Sequence, residues 1–182
     1  MKDIWVISDT HFNHTNILSF SDSRTGLPVR GHLFQDVDQM NAHMIEKWNS
    51  VVKPGDIVYH LGDVIIGNRD WMNENWNRLN GSKRLIVGNH DDIKFLSSGG
   101  WFKKVQMWRQ FTEFNLLLSH VPLHETSLSR GRPDTVHQTV NVHGHTHGNG
   151  SPLGRYISVC VELRDYTPVH IETLAEEAKK LL

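Results

Sequence analysis

Apolar and polar positions divide this chain into short blocks whose period changes along it. Residues 4–8 (Ile-Trp-Val-Ile-Ser) form a run rich in β-branched and aromatic side chains, which predicts a buried strand ending where Asp9-Thr-His11 begins. A loop-like stretch, residues 19–35, follows; Gly26, Pro28 and Gly31 punctuate it, and it carries Arg24, Arg30 and His32. Asp36 with Gln39 three residues on reads as a capping box. Met40, Met44, Ile45 and Trp48 then recur on one face, so a helix is predicted over about 37–49. Beyond Pro54-Gly55, residues 57–61 predict a second buried strand with Gly62-Asp63 at its exit. Trp71, Asn75, Trp76 and Leu79 predict a second helix stopping at Asn80-Gly81, after which residues 85–87 lead as a third strand into Gly88-Asn-His-Asp91. Residues 111–119 read as a fourth strand running into His120-Val-Pro122, and residues 140–143 as a fifth running into Gly144-His-Thr-His147. Between them, residues 123–139 form a polar loop with Arg130, Gly131, Arg132 and Pro133. Residues 157–163 and 169–171 predict closing strands, and Thr173 with Glu176 caps a C-terminal helix bearing Leu174, Ala178 and Leu181 on one face. Strands alternating with helices define an α/β class, and the absence of repeats or linkers predicts one domain over residues 1–182.

The exits of the first five predicted strands carry polar residues of metal-ligand type. The densest is Val-His-Gly-His-Thr-His-Gly at 142–148, with three imidazoles in five residues. Alternation along a strand would hold them on one face only while the backbone stays regular, and Gly144 breaks it. The pattern predicts a strand ending near His143 and a tight loop presenting His145 and His147. Taken alone, this run reads equally as a metal site or as a His-rich surface turn. The exits together offer Asp9, His11, Asp63, Asn89, His90, His120, His145 and His147, which are oxygen and imidazole nitrogen without sulfur. That mixture suits Mn, Fe, Zn, Co or Ni. It exceeds the needs of one ion and would serve a pair roughly 3.5–4 Å apart sharing a carboxylate, a geometry fitted to in-line attack on phosphorus.

Composition narrows the possible classes. A chain of 182 residues, 38% of them apolar, can bury a core without covalent staples. The single cysteine, Cys160, excludes an intrachain disulfide and a thiolate cluster; with no secretory segment evident, a cytoplasmic location is expected. No stretch approaches the ~18 apolar residues of a membrane span. A net charge of −1 leaves no basic footprint for extended nucleic-acid binding, while thirteen histidines point to metal or proton chemistry.

The order Asp9-x-His11, Gly62-Asp63, Gly88-Asn-His-Asp91, His120 and Gly144-His-x-His147 resembles the calcineurin-like metallophosphoesterase superfamily. Every motif position is filled within residues 4–148, and the opening Asp-Thr-His-Phe-Asn-His-Thr-Asn-Ile looks like small bacterial and phage-encoded members. The resemblance implies a four-layer α/β/β/α sandwich, two packed mixed β-sheets flanked by helices. It implies that Asp9, His11 and His147 bind a first metal, that Asn89, His120 and His145 bind a second, and that Asp63 bridges them. His90 would stand over the leaving group as a non-ligand, with Asp91 orienting its ring. The implied activity is a dinuclear phosphoesterase, with Mn²⁺ favoured, hydrolysing a phosphodiester or a small phosphomonoester through a metal-bridging hydroxide. The expected partner is a small phosphorylated substrate. A non-catalytic scaffold of the same fold and a nuclease are the alternatives. Phosphoprotein phosphatases of the superfamily place an arginine-bearing segment after Gly-Asp and Glu after Asn-His; here Val64-Ile-Ile-Gly67 and Asp91 stand in those places. Substrate contacts are expected from His14, Asn16, Arg30, Arg130 and Arg132, and selectivity from the loops 19–35 and 123–139. His60 and His143 are expected in the core, and Trp71 and Trp76 in the core or on a partner-facing ridge rather than as a stacking platform.

Overall fold

The structure is a computed structural model describing residues 2–21, 26–130 and 137–182, apart from the side chains of Arg130 and His137. Its elements in chain order are β1 (Ile4–Ile7), α1 (Val37–Val51), β2 (Ile57–His60), α2 (Asp70–Asn75), β3 (Ser82–Ile86), α3 (Ile93–Ser98), β4 (Val105–Gln106) and β5 (Trp108–Phe111). There follow β6 (Leu116–Ser119), β7 (Ser129–Arg130), β8 (His137–Gln138), β9 (Val140–His143), β10 (Tyr156–Ser158), β11 (Val169–His170) and α4 (Ile171–Lys179). One sheet runs β11-β1-β2-β3-β4, a second runs β10-β9-β6-β5, and β7 pairs with β8 in a small ribbon. β1 to β4 are mutually parallel with β11 antiparallel on the edge; β6, β9 and β10 are parallel with β5 antiparallel. Two mixed sheets flanked by helices is the architecture expected.

Alternation along the parallel strands explains why the sheets stack. In β1, Ile7 turns toward α1 and α2, joining Met40, Met44, Trp48, Trp71 and Trp76 in one buried cluster. Val6 turns the other way and joins Tyr59, Leu61, Ile86, Leu118 and Val142 between the sheets. Both faces of the first sheet are thus covered, and its strands read as continuous apolar runs. α4 closes this second cluster with Ile171, Leu174 and Ala178. Asp36 caps α1 by accepting the Gln39 amide, and Gln39 reaches back to the Gln35 amide at 2.7 Å. Of the two placements expected for Trp71 and Trp76, the structure has the core one, Trp71 stacking on Phe12 with centroids 4.6 Å apart.

Four sequence expectations need adjustment. The run 111–119 is not one strand: a 3-10 turn at Thr112–Phe114 and a left-handed Asn115 (φ 54°) fold it into the β5–β6 hairpin. The second helix tightens after Asn75 into a 3-10 turn at Trp76–Arg78. Residues 157–163 break after β10 into a third such turn, Val161–Leu163, which brings Glu162 inward. The last helix begins at Ile171, its cap being His170, whose imidazole accepts the Glu172 amide; Thr173 lies inside it.

Trp48 joins the helical layer to the sheet. Its ring is wholly buried, stacks near His60 at 6.5 Å and donates its indole N–H to the Asn80 carbonyl at 3.0 Å. Trp48→Ala is expected to cost about 3–5 kcal/mol of unfolding free energy, measured by urea denaturation. A cost under about 1 kcal/mol would mean that α1 is not anchored through this ring.

Candidate metal centre

The site lies where β1, β2, β3, β6 and β9 end, at the junction of the two sheets. The chain leaves these strands in unusual conformations: Asp9, His11, Asp63, His145 and His147 all have positive φ, between 45° and 69°. For non-glycine residues this conformation costs on the order of 1–3 kcal/mol each and persists only where surroundings enforce it. Here the enforcement is a backbone weave between neighbouring exits. The amides of Asp9, His11 and Phe12 donate to the carbonyls of Gly62, Asp63 and Val64 at 2.9–3.1 Å. Gly62 (φ +92°) lets the second and third exits touch, since a Cβ there would lie 2.4 Å from the Gly88 nitrogen.

These constraints aim the side chains at two adjacent points. Asp9 is wholly buried; its Oδ2 accepts the His145 amide at 2.9 Å and faces the Cys160 thiol, while Oδ1 has no hydrogen-bond partner among the described residues. That oxygen lies 3.9 Å from His11 Nε2 and 3.9 Å from His147 Nε2. Both His11 ring nitrogens are likewise buried without partners, and burial, reinforced by Arg30 and the neighbouring imidazoles, holds this ring neutral well below the usual histidine range. Asp63 uses Oδ1 on the His90 amide at 2.9 Å; its Oδ2 stands 3.6 Å from His11 Nε2 and 3.5 Å from His120 Nε2, touching both points at once. Around the second point, Asn89 Oδ1 is 2.7 Å from His120 Nε2 and 2.9 Å from His145 Nδ1. His120 donates its Nδ1 proton to the Leu61 carbonyl at 2.7 Å, so in the neutral ring its Nε2 presents a lone pair to another acceptor.

Acceptor facing acceptor at hydrogen-bond distance, beside buried carboxylate and imidazole atoms without partners, is what a pair of cations would relieve. The donor set of oxygen and imidazole nitrogen fits divalent ions of the Mn to Zn series. Asp9, His11 and His147 form one tight ligand-type group, and Asp9, Asp63 and His120 another.

A layer of outer contacts holds these groups in place. His147 donates Nδ1–H to Glu162 Oε1 at 2.9 Å, which fixes the tautomer and leaves Nε2 turned inward. Glu162 also accepts from Arg30 at 2.6 and 2.9 Å; burial opposes its charge, but the guanidinium and the His147 contact overcome this and hold the carboxyl down at about 2. Glu162 was not among the expected site residues, yet a carboxylate inside an apolar strand pattern is itself a sign of a buried partner. Arg30 does not reach toward substrate: it is fully buried and donates to the backbone carbonyls of Asp9 at 2.6 Å and Thr10 at 2.8 Å. Asp91 does not orient the His90 ring. Its two oxygens accept the amides of Asp63, Val64 and Gly88 at 2.8–3.1 Å, clamping the second and third exits together. His90 itself lies beside the site, its ring 5.9 Å from that of His11. His14 is close as well, 5.8 Å from His11, whereas Asn16 is exposed and borders a different hollow with Leu18 and Val37. Arg132 and the Arg130 side chain fall outside the described residues. His60 and His143 are buried structural rings as expected: His60 contacts Thr10 Oγ1 at 2.9 Å, and burial aided by His120 pushes it down to about 3; His143 contacts Ser151 Oγ at 3.0 Å.

Carboxylates, imidazoles and one amide converging from five strand ends of a two-sheet α/β fold define a metallohydrolase class of site. The family model for calcineurin-like phosphoesterases matches residues 2–147, and the chain belongs to that family. It is 32% identical over 189 residues to an uncharacterized protein, MJ1445, of Methanocaldococcus jannaschii, covering 99% of this chain and 93% of that one. It is 27% identical over 176 residues to the gene 66 protein of Mycobacterium phage L5, covering 81% and 78% of the two. The crystal structure of a protein of unknown function, AQ665 from Aquifex aeolicus, superposes with a TM-score of 0.67 over 97% of this chain and all of that one, at 24% identity, and shows the same fold. No helix among the described residues is long and apolar enough to cross a membrane.

Gly144 is where the fifth exit presses against the first. A Cβ there would lie 2.0 Å from Ser8 Oγ and 2.3 Å from Asp9 Oδ2. Gly144→Ala is expected to displace Asp9 and reduce bound Mn²⁺, whereas Gly148→Ala, whose added Cβ would meet no atom within 4 Å, retains the parent metal content. Elemental analysis of the reconstituted proteins checks this; equal metal content in both variants would show that Asp9 is not held where the close contact implies.

Proposed function

We propose that this protein is a dinuclear metal-dependent phosphoesterase acting on a small phosphodiester, with Mn²⁺ as the favoured ion. The observation that supports it most is the placement of Asp63 Oδ2 between two ligand groups, 3.6 Å from His11 Nε2 and 3.5 Å from His120 Nε2. Asp9, His11 and His147 would hold one ion, Asn89, His120 and His145 the other, and Asp63 both. When bound, two such cations supply a nucleophilic water at neutral pH and charge stabilisation for an in-line displacement.

The chain's own groups account for the remaining steps. His90 borders the cavity beside His11 and His147, and its backbone is pinned by Asp63. A histidine there can deliver a proton to the departing oxygen. Asp91 is a positioning residue, acting through the loop that carries Asn89 and His90. Diester is favoured over monoester because no lysine or arginine among the described residues lines this cavity to neutralise a second phosphoryl charge, Arg30 being committed elsewhere.

The test is hydrolysis of a methyl alkyl phosphodiester and of a methyl nitrophenyl phosphodiester by the Mn²⁺-loaded protein and by His90→Ala. Nitrophenolate leaves with little help, so the variant is expected to lose about 10²–10⁴-fold on the alkyl ester and much less on the nitrophenyl ester, with metal content intact. Equal losses on both, together with a lost ion, would make His90 a ligand and overturn its assignment as the acid. No turnover of either ester by the parent would overturn the phosphoesterase reading.

A further inference from the structure

Beside the metal centre opens a cavity of about 740 Å³ whose floor includes His11, His90 and His147. The size is that of a site for a small organic molecule, for which ~300–1,000 Å³ is usual. Its wall is unlike its floor. Ile17, Phe20, Leu27, Pro28, Val29 and Ile66 line it, so the candidate metal site continues directly into an apolar surface. Phe20 is 50% and Leu27 65% exposed.

The wall is also held in place. Ile17 is buried in the helix-side core, and the Val29 amide donates to the Phe20 carbonyl at 2.7 Å, tying the two ends of the segment together. Ser21 pairs with Pro28 in an isolated antiparallel bridge. Arg30, next in the chain, is bound to the carbonyls of Asp9 and Thr10 and to Glu162, the carboxylate that fixes His147. The apolar wall and the ligand groups are therefore referenced to the same buried guanidinium. Rings connect them: His11 to His14 at 5.8 Å, then His14 edge-on to Phe20 at 5.5 Å.

We infer that this cavity receives the esterified group of the substrate and that this group is uncharged and apolar, of aryl size, with Phe20 as its principal contact. The inference rests on the phosphoesterase reading and deepens it. Hydrolysis would form a bond from water oxygen to phosphorus, break the P–O bond to this group, and release it as a neutral alcohol with a proton from the His90 side of the cavity. Groups bearing a second phosphate are disfavoured, because the described lining residues include no lysine or arginine and Glu162 is taken up by Arg30 and His147.

The experiment compares two phosphonate diester analogues of equal charge, methyl 1-naphthylmethylphosphonate and methyl methylphosphonate, by isothermal calorimetry on the Mn²⁺-loaded protein. Burial of a bicyclic ring predicts about 10- to 100-fold tighter binding of the naphthyl analogue. Phe20→Ala and Ile66→Ser are each expected to shrink that ratio several-fold, and Phe20→Trp to preserve it. A ratio within twofold of one in the parent, or an undiminished ratio in Phe20→Ala, would overturn the inference. Failure of the two ideas is distinguishable: a calorimetric preference without hydrolysis of any ester removes the phosphoesterase reading and keeps the apolar subsite, while an active enzyme without the preference removes the subsite alone.

Discussion

Seven side chains with unshared electron pairs converge on one junction, with Asp9, His11, Asp63 and His120 buried at its base and Asn89, His145 and His147 toward its open side, and most other features of the chain follow from holding them there. Asp9 Oδ1 and both His11 nitrogens lack partners among the described residues, and Asn89 Oδ1 sits 2.7 Å from the His120 nitrogen that carries no proton in the neutral ring. Such a cluster is unfavourable without positive charge at its centre. The fold tolerates it because the strands and their backbone weave fix each exit independently of what the exits present. Five of the candidate ligands are kept at positive φ in this way, and the apolar clusters on both faces of the first sheet hold the strands beneath them.

The contacts around the ligand groups divide the work. Asp91 uses its carboxylate on three backbone amides and so joins the second and third exits; Glu162 uses its own on His147 and Arg30. Arg30 in turn binds the carbonyls of the first exit and carries the adjoining segment toward the cavity. One buried guanidinium thus couples the placement of a candidate metal ligand to the placement of the surface that would meet the organic half of a substrate. This offers a route by which the sequence of residues 26–35 could influence selectivity without touching the reacting atoms.

Much of this is legible in the amino-acid sequence alone. The exits were visible because each is a short apolar run ended by a polar motif, and strand direction converts that order in sequence into convergence in space. His60 and His143 were separable from the ligand histidines because they lie inside the apolar runs. What could not be read has a common cause. Arg30, Asp91 and Glu162 belong to residue types whose default setting is solvent or a nearby ring, and their true partners are backbone groups or side chains far away in sequence; Arg30 and Glu162 are 132 positions apart. The β5–β6 turn was hidden because Phe111 and Phe114 continue the apolar pattern through it, and only the left-handed Asn115 marks the reversal. The end of the fifth expected exit was clearer, since Gly144 announced it.

The central claim is that the junction exists to bind two cations through a shared Asp63. Native mass spectrometry of the Mn²⁺-reconstituted chain, run beside Asp63→Asn, tests it most directly. The account requires two ions per chain in the parent and loss of both in the variant, because a bridging carboxylate offsets the repulsion between neighbouring cations. A parent holding a single ion, or a variant that loses one ion and keeps its neighbour at parental affinity, would contradict it.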